Sequence, residues 1–535
     1  TVIFNVDQSS FATGLAGLTI NGTLKIPSQA EDPSMPNTVV LKVNANIAGS
    51  GSFLIGSPTQ PITYPQFVKV MVNGTIIVAN FNCYGEQRSP LWDYLAQDAP
   101  AGATTIVLQN GLPLRSGDLI AIGRSDIVGH WTESSTARGL HTVASYNAAT
   151  KTVTLNEALT HARSGTGVRA CLVILLSRQI VISKYGANNV TLLSGSGRTI
   201  QGVLFQSESG ATVHSATSGL SSSSLTSFAT IGFTGGNGAL HNASNLTIND
   251  YTAYASGGFL IIRMNGSNQA TNVAAINAYF GFSISDASGI NWSITNGHFQ
   301  NCPVYMFYLA NNTTITLNEI TCKNAGVFSA YSPSGTFSIN WDTGLVVDGS
   351  INPGMGIELK GFIKNIQWHA FIGTSYTLFG AFYGNLVVQN LTATHNVSGF
   401  RVTLADTRLC GVHFVGCSLS ASICVLGNAR VNSCRYISCS LSNAFNPIIT
   451  NHHGISEIVN LNTNAYYRPT LEIPPTHDAL WTNRILVRGL TIGATSHPKA
   501  FEHLFPHGYV KNRWDAATPD YTTFDFLLTQ ASFAG

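Results

Sequence analysis

NLVVQNLT, residues 385–392, is followed one repeat later by RLCGVHFV, residues 408–415, and the same arrangement occurs earlier as TTITLNEI, residues 313–320. Each segment is a short strand of alternating apolar residues next to polar turn residues. Such segments recur about every 22 residues, a period that indicates a solenoid. They begin near Asn245, Asn268, Gly289, Asn311, Gly335, Phe362, Asn385, Asp406 and Asn428. One turn cannot bury its apolar side alone, so stacked turns must share a core.

The sequence therefore predicts an all-β chain in which residues 184–465 form a right-handed parallel β-helix. Residues 1–183 contain short strands, and Asn-Gly pairs between them predict hairpins of a glycine-rich antiparallel or mixed β sandwich or roll. These pairs are Asn21-Gly22, Asn73-Gly74 and Asn110-Gly111. Only Pro90–Gln97 suggests a helix. Residues 466–535 lose the period and are rich in aromatic residues and proline, so we expect a C-terminal cap or an oligomer contact.

The composition excludes several functions. Charged residues make up only 10% of the chain, against about 25% in typical soluble domains, so amides and hydroxyls must solvate the surface. The net charge is +2 without a basic cluster, which argues against a nucleic acid partner. The longest apolar stretch, Ala170–Leu176, is too short to cross a bilayer, so no membrane insertion is expected. Because the chain begins Thr1-Val2-Ile3, we expect processing or trimming to have removed the original start.

The cysteines predict thiols rather than a disulfide framework. The chain has nine, an odd number, and none forms a C-x-x-C pair. Some lie about one repeat apart, as Cys302 and Cys322 do, which suits small apolar side chains stacked inside a solenoid. Buried free thiols are compatible with assembly in a reducing cytoplasm.

The N-terminal part resembles a known family. Residues 44–57, NANIAGSGSFLIGS, followed by Pro61-Ile62, resemble the glycine-rich module of fibrocystin-type ectodomains and cell-migration-inducing hyaluronidases. The similarity continues, in the same order, through Gly117–Ile122 and Arg169–Ile180. It implies a β-helix downstream, but the family contains both hyaluronan-depolymerising enzymes and receptor-like ectodomains without assigned catalysis. Three polar residues fall in this segment, where a structural role such as a turn is favoured: Asp118, Glu133 and His161.

One set of side chains is a candidate for catalysis. His298, Glu319 and Asp342 occupy similar positions in three successive repeats, each beside a large apolar residue that should point inward. Strand alternation then places the three on the outside as a ladder. Two carboxylates and an imidazole could act as acid and base in glycoside cleavage. The alternative is that they are isolated, solvated side chains.

Two further groups are open to interpretation. Aromatic residues around 368–383 could stack on sugar rings or fill the core. They are Trp368, Tyr376, Phe379, Phe382 and Tyr383, with His369 among them. Histidine-rich stretches could supply metal ligands, but none has the spacing of a known metal-binding motif. The sequence therefore predicts no metal or cofactor. These stretches are His452-His453, His477-Asp478, and His497 with Glu502, His503 and His507.

The favoured function is a surface or virion-associated β-helix protein, similar in design to a phage tail spike or fibre, that recognises cell-surface polysaccharide. A homo-oligomer on the virion surface or outside the cell is expected. The alternatives are an extracellular polysaccharide depolymerase resembling the hyaluronidases, and a purely structural module without a ligand.

Overall fold

The computed structural model divides the chain into two compact units, Thr1–Thr313 and Thr314–Gly535. It describes residues 1–321 except 11–12, 125–138, 167–169, 185, 187–190, 208–214, 233–239, 255–259, 265–266, 278–279, 285–289, 303–304 and 310–312. Beyond residue 321 it describes the strands given below, without their side chains. Every regular element in the described residues is a β-strand, as the sequence predicts.

The strands of the first unit are β1 (Val2–Ile3), β2 (Leu18–Thr19), β3 (Thr23–Ile26), β4 (Thr38–Val43), β5 (Ile47–Ile55), β6 (Phe67–Val72), β7 (Ile76–Tyr84), β8 (Trp92–Tyr94), β9 (Thr105–Val107), β10 (Leu119–Ile122), β11 (Leu140–Asn147), β12 (Thr152–Leu155), β13 (Leu172–Leu175), β14 (Ile180–Lys184), β15 (Thr191–Leu193), β16 (Thr199–Gln201), β17 (Val203–Ser207), β18 (Ser215–Ser218), β19 (Ser224–Ile231), β20 (Leu240–Ala243), β21 (Thr247–Tyr254), β22 (Leu260–Met264), β23 (Asn268–Ile276), β24 (Phe280–Ile284), β25 (Ile290–Cys302) and β26 (Tyr305–Leu309).

Successive turns of this unit pair strand on strand in parallel, which confirms the predicted parallel β-helix. One face contains β16 and the first halves of β19, β21, β23 and β25. A second face contains β6, β14, β17 and the second halves of the same long strands. A third face contains β15, β18, β20, β22, β24 and β26.

The core follows from strand alternation in register. On the first face, each inward residue lies opposite the inward residue of the next turn. This buried column consists of Cys83, Ile200, Leu225, Ile248, Ala270 and Ile294. At the next inward column Phe228 stacks on Tyr251, with ring centroids 4.2 Å apart and planes 1° from parallel. Cys83 is a buried thiol, as predicted, and burial raises its pKa.

The region 1–183 differs from the predicted sandwich or roll. Strands β1 and β3–β7 pair in parallel and belong to the solenoid, and the antiparallel part is limited to β8–β13. That six-stranded sheet has the order β8-β13-β10-β11-β12-β9 and its own buried core. The suggested helix at 90–97 is wrong, since β8 lies there.

The hairpin predicted at Asn73-Gly74 is wrong, because a solenoid corner needs the same residue types as a hairpin. The amide of Thr75 donates to Asn46 Oδ1 at 2.9 Å, one turn away. A Cβ on Gly74 would lie 2.6 Å from the Ala45 carbonyl carbon, so the corner requires glycine. Asn73-Gly74 is therefore a stacked corner between parallel strands.

The antiparallel sheet is inserted between turns of the solenoid. The chain leaves the solenoid after β7 and returns with β14, which pairs with β6 on one side and β17 on the other. Ile180 thus lies opposite both Val68 and Val203. The parallel ladder continues across the insertion without a break.

The second unit also consists of parallel pairs, and its register at Val412↔Cys434 and Cys434↔Ser456 agrees with the predicted repeat. The pairing continues to Ser532–Phe533, within the region expected to form a cap. A cap or oligomer contact formed by residues 466–535 remains a prediction. The strands of this unit are β27 (Thr313–Ala325), β28 (Phe328–Ala330), β29 (Phe337–Trp341), β30 (Leu345–Asp348), β31 (Ile357–Lys364), β32 (Ile366–His369), β33 (Phe379–Tyr383), β34 (Leu386–Gln389), β35 (Thr392–Val397), β36 (Phe400–Thr403), β37 (Arg408–Cys410), β38 (Val412–Leu419), β39 (Ile423–Leu426), β40 (Arg430–Val431), β41 (Cys434–Ile437), β42 (Ser440–Ser442), β43 (Ile448–Ile449), β44 (Gly454–Val459), β45 (Asn462–Asn464), β46 (Leu471–Glu472), β47 (Thr482–Arg488), β48 (Thr491–Ile492), β49 (Thr523–Thr529) and β50 (Ser532–Phe533).

Candidate functional site

The three catalytic candidates fall in different parts of the chain. His298 lies in the first unit and Glu319 in the second, and Asp342 lies outside the described residues. His298 points outward from β25, next to the inward, buried Phe299, as strand alternation predicts. It is nevertheless only 8% exposed, because the inserted sheet covers this face. A catalytic role for the three remains a prediction.

His298 joins the solenoid to the inserted sheet. Its ring lies against Trp92 of β8, with ring centroids 3.6 Å apart. Its Nε2 lies 2.7 Å from Asn296 Oδ1, and its Nδ1 lies 2.6 Å from the Tyr94 hydroxyl. Since an amide oxygen can only accept, Nε2 carries a proton; in the neutral imidazole Nδ1 is then an acceptor, and the Tyr94 hydroxyl donates to it. His298 therefore acts here as a structural link.

The hydrogen-bond chain continues along one corner of the solenoid. Asn296 Nδ2 donates to Asn272 Oδ1 at 2.8 Å, and Asn272 Nδ2 donates to Asp250 Oδ1 at 2.9 Å. Together with His298 and Tyr94, these side chains form one directional series of donors that ends on a carboxylate. Linked hydrogen bonds in a partly buried setting polarise and strengthen one another.

This corner has left-handed backbone in five successive turns of the first unit. The residue at the bend of the first unit has φ between 49° and 63°, in turn after turn. The corner residues are Gly202, Ser227, Asp250, Asn272 and Asn296. Glycine, asparagine and aspartate tolerate this conformation best, which explains their use. At Gly202 a Cβ would also lie 2.5 Å from the carbonyl carbon of Gly85.

Glu319 has the same backbone conformation, with φ of 54°, and is exposed. Glutamate is an uncommon choice for left-handed backbone because its longer side chain does not bond locally as Asn and Asp do. A polar residue held in such a conformation is a reason to test for function.

Two buried arginines, one at each end of the insertion, bind it to the solenoid. Arg88 forms a bidentate ion pair with Asp118 of the inserted sheet, at 2.8 and 2.6 Å. Arg178, at the other end, donates from Nε to the Ser227 carbonyl at 2.6 Å. Burial and the neighbouring Arg88 charge lower the pKa of Arg178 to about 9, so it stays cationic at neutral pH. The Ser227 hydroxyl accepts from the Arg88 amide at 3.1 Å, so one corner residue contacts both ends.

The structural role expected for Asp118 is thus observed. Its Oδ2 also accepts from the Arg115 amide at 2.6 Å, which closes the turn that contains Gly117 at φ 86°. Glu133 lies outside the described residues. His161 is near the surface of the insertion, and its carbonyl accepts from Arg163 at 3.3 Å.

A continuous polar surface covers the first face, which we call the polar face. It comprises the outward residues of β7, β16 and the first halves of β19, β21, β23 and β25, in register across six turns. All are exposed or half-buried. One column is Asn82, Thr199, Ser224, Thr247, Gln269 and Ser293, and the other is Tyr84, Gln201, Thr226, Asn249, Thr271 and Thr295.

The polar face offers a regular array of donors and acceptors. Parallel strands lie about 4.8 Å apart, so each column repeats its hydroxyl and amide groups at that distance. The buried column beneath keeps the strands level, because each inward residue is matched by another in the next turn. Such an array can hydrogen-bond along an extended polymer.

The remaining sequence candidates lie beyond the described side chains. Trp368, His369, Phe379, Phe382 and Tyr383 belong to β32 and β33, whose side chains are not described, and Tyr376 and the histidine-rich stretches lie outside the described residues. Within the described part of the chain, no group of three or more His, Cys, Asp or Glu residues could hold a metal ion. No helix there is long and apolar enough to cross a membrane.

No protein-family model matches the chain, and no curated protein matches it. The resemblance to hyaluronidases and fibrocystin-type ectodomains is therefore not confirmed. The parallel pairing of strands in successive turns places this chain in the class of parallel β-solenoid proteins.

Several solved structures are similar to this chain, and three of them are phage tailspikes. The tailspike gp61 of Pseudomonas phage phi297 has 11% identity and a TM-score of 0.18, with 88% of this chain and 71% of that chain covered. The tailspike gp49 of Pseudomonas phage LKA1 has 14% identity and a TM-score of 0.17, covering 90% and 74%. The gp54 tailspike of Acinetobacter baumannii bacteriophage AP22, in complex with capsular saccharide, has 11% identity and a TM-score of 0.18, covering 89% and 70%.

Proposed function

We propose that this chain is a surface β-solenoid protein, located outside the cell or on a virion, that recognises polysaccharide through the polar face. The observation that carries the proposal is the register of twelve polar, uncharged side chains across six turns. Sugar hydroxyls both donate and accept, and Thr, Ser, Asn and Gln side chains match them in both roles.

The length of the array also supports a polymer rather than a small ligand. Compact ligands bind in concave pockets that cover most of their surface. An open face with repeated groups instead gains affinity from many weak contacts made at once, provided the ligand repeats along its length.

The test removes hydrogen-bonding groups from the middle of the face. We expect the double variant Thr226→Ala/Asn249→Ala to bind polysaccharide about tenfold more weakly, since each lost hydrogen bond is worth about 0.5–1.5 kcal/mol. The matched control is Thr105→Ala/Thr154→Ala, a cross-strand pair on the inserted sheet. Binding to a panel of bacterial capsules, hyaluronan and neutral glucans would be measured by affinity electrophoresis. Equal binding by both variants would rule out the polar face.

A second candidate function, cleavage of the bound polymer, is favoured by the left-handed, exposed Glu319. Size analysis of the polymers after incubation tests it, with Glu319→Gln and Asp342→Asn as variants. Shortened products from the unaltered protein that disappear in a variant would support catalysis. Intact polymers with retained binding would support recognition alone, and neither effect would leave a structural module.

We also propose that the protein is homo-oligomeric. The support is the sequence, whose aromatic and proline-rich residues 466–535 suit a contact between copies. Light scattering on the purified protein measures the mass, and a monomer at micromolar concentration would contradict this part of the proposal.

A further inference from the structure

We infer that the polysaccharide recognised by the polar face is uncharged. This inference rests on the proposed function and adds the chemical class of the ligand. It starts from the twelve positions of the face, none of which is Lys, Arg, His, Asp or Glu. Acidic polysaccharides are held by Arg and Lys, which supply charge-assisted hydrogen bonds to carboxylate, sulfate or phosphate groups.

At one edge of the polar face, the charged residue nearest in sequence uses its side chain for hydrogen bonds within the protein. Arg198 precedes Thr199 of the face, but its guanidinium is turned into the solenoid. It donates to the carbonyls of Ala79 and Val78 at 2.7 and 2.6 Å and to that of Ser194 at 3.3 Å. The residue is only 5% exposed, so it presents no cation to a ligand lying on the face.

The opposite edge carries negative charge. Asp250 follows Asn249 at the corner, and its carboxylate accepts from Asn272. Past Tyr84, Glu86 is neutralised by Arg115, at 2.6 and 2.7 Å. An anionic polymer would therefore meet the half-buried Asp250 carboxylate and no free cation along the described length of the face.

The edge near Arg198 continues the neutral polar surface. Ser196, Ser221 and Ser244 lie opposite one another in successive turns. All three are exposed or half-buried, and each lies three residues before a residue of the face, Thr199, Ser224 or Thr247. Apart from the buried Arg198, the chain leading into the face is therefore uncharged in these three turns.

The experiment compares each acidic polysaccharide with its carboxyl-reduced form, so that only the charge changes. Hyaluronan and acidic bacterial capsules are the probes, with neutral glucans and mannans in the same panel. Affinity is measured between about 0.05 and about 0.5 M NaCl, a range over which charge interactions become strongly screened. We expect binding to neutral or reduced polymers only, with less than about a twofold change across the salt range.

A substitution at an exposed position of the face provides the converse test. Thr247→Lys should create measurable binding to an acidic polymer that is lost at high salt, and Thr247→Gln should not. The two variants share size and exposure and differ in charge.

The outcomes separate the two proposals. Binding only to unreduced acidic polymers, falling about tenfold or more with salt, would overturn this inference and leave polysaccharide recognition intact. Binding to no polymer would overturn both proposals. Variants of the polar face that change only the oligomeric mass would also overturn both, since the face would then contact a second copy of the chain.

Discussion

The polar face and the face beneath the inserted sheet share four long strands, β19, β21, β23 and β25, yet their outward residues differ in kind. On the covered face the outward column is Val181, Leu204, Ala229, Thr252, Ala274 and His298. On the polar face the equivalent positions carry hydroxyls and amides. The inward residues of both faces are almost all apolar, and an exception on the covered face, Thr230, hydrogen-bonds the buried Tyr251 hydroxyl. The type of the outward residues therefore depends on whether water or the inserted sheet covers the face, whereas the type of the inward residues depends only on the fold.

The difference also explains the position of His298. Its outward direction follows from alternation along β25, but its burial depends on the inserted sheet. Thr252 shows the same effect, since its hydroxyl donates to the carbonyl of Leu175 in that sheet, at 2.9 Å. Thr252 and His298, the polar residues of the covered column, thus both link the solenoid to the insertion.

The largest expected effect is on the attachment of the covering sheet. Asp118→Ala leaves the Arg88 guanidinium buried without its carboxylate and should lower the free energy of unfolding by about 3–5 kcal/mol. Hydrogen exchange should rise first in β10, β13 and β14. The control Arg88→Met/Asp118→Leu replaces the pair with apolar groups and should recover most of the loss. A loss below about 1 kcal/mol in Asp118→Ala would mean that the pair does not hold the sheet.

The next effect tests the comparison of the faces directly. Leu204→Ala, on the covered face, should cost about 2–5 kcal/mol because it leaves a cavity under the inserted sheet. Thr226→Ala, on the polar face, should change stability by no more than about 0.5 kcal/mol. Denaturant unfolding measures both. Similar losses in the two variants would show that another surface covers the polar face.

A smaller effect is expected at the corner that separates the faces. Asn272→Ala removes two ladder hydrogen bonds and places alanine in left-handed backbone, which should cost about 2–3 kcal/mol in thermal unfolding. Asn272→Gly loses the same bonds but relieves the backbone, so it should cost about 1 kcal/mol less. Equal losses would assign the whole effect to hydrogen bonding.

The smallest effect concerns the Glu86–Arg115 ion pair. The Arg115 hydrogen bond lowers the pKa of Glu86 below its ordinary 4.5. The pair therefore stabilises the fold above that pH, and its contribution is lost as pH falls through the lowered value. Because both side chains are partly exposed, Glu86→Gln should cost only about 0.2–1 kcal/mol at pH 7. The difference between variant and unaltered protein should shrink as the pH falls through the lowered pKa of Glu86 and vanish below it, and a difference that stays constant with pH would contradict this.

The sequence predicts the solenoid because its period and alternation are local properties. It also predicts that uncharged polar groups form the surface, which the polar face confirms. The insertion was missed because its strands have the same alternation as solenoid strands, and only the pairing partner distinguishes them. The stacked corner residues could have been predicted from the sequence, since Asp250, Asn272 and Asn296 recur at about the repeat distance. The hydrogen bond from His298 to Tyr94, which extends this series, depends on the insertion and could not be inferred.

The corner after the polar face accommodates very different lengths of chain. In later turns it is a single left-handed residue, such as Asn272, whereas in an earlier turn it contains residues 85–179. The strands on either side keep their register in both cases. A module inserted at this corner therefore leaves the register of the solenoid unchanged. A foreign domain grafted between Gly85 and Gln179 would still have to cover the apolar outward column that the present sheet buries.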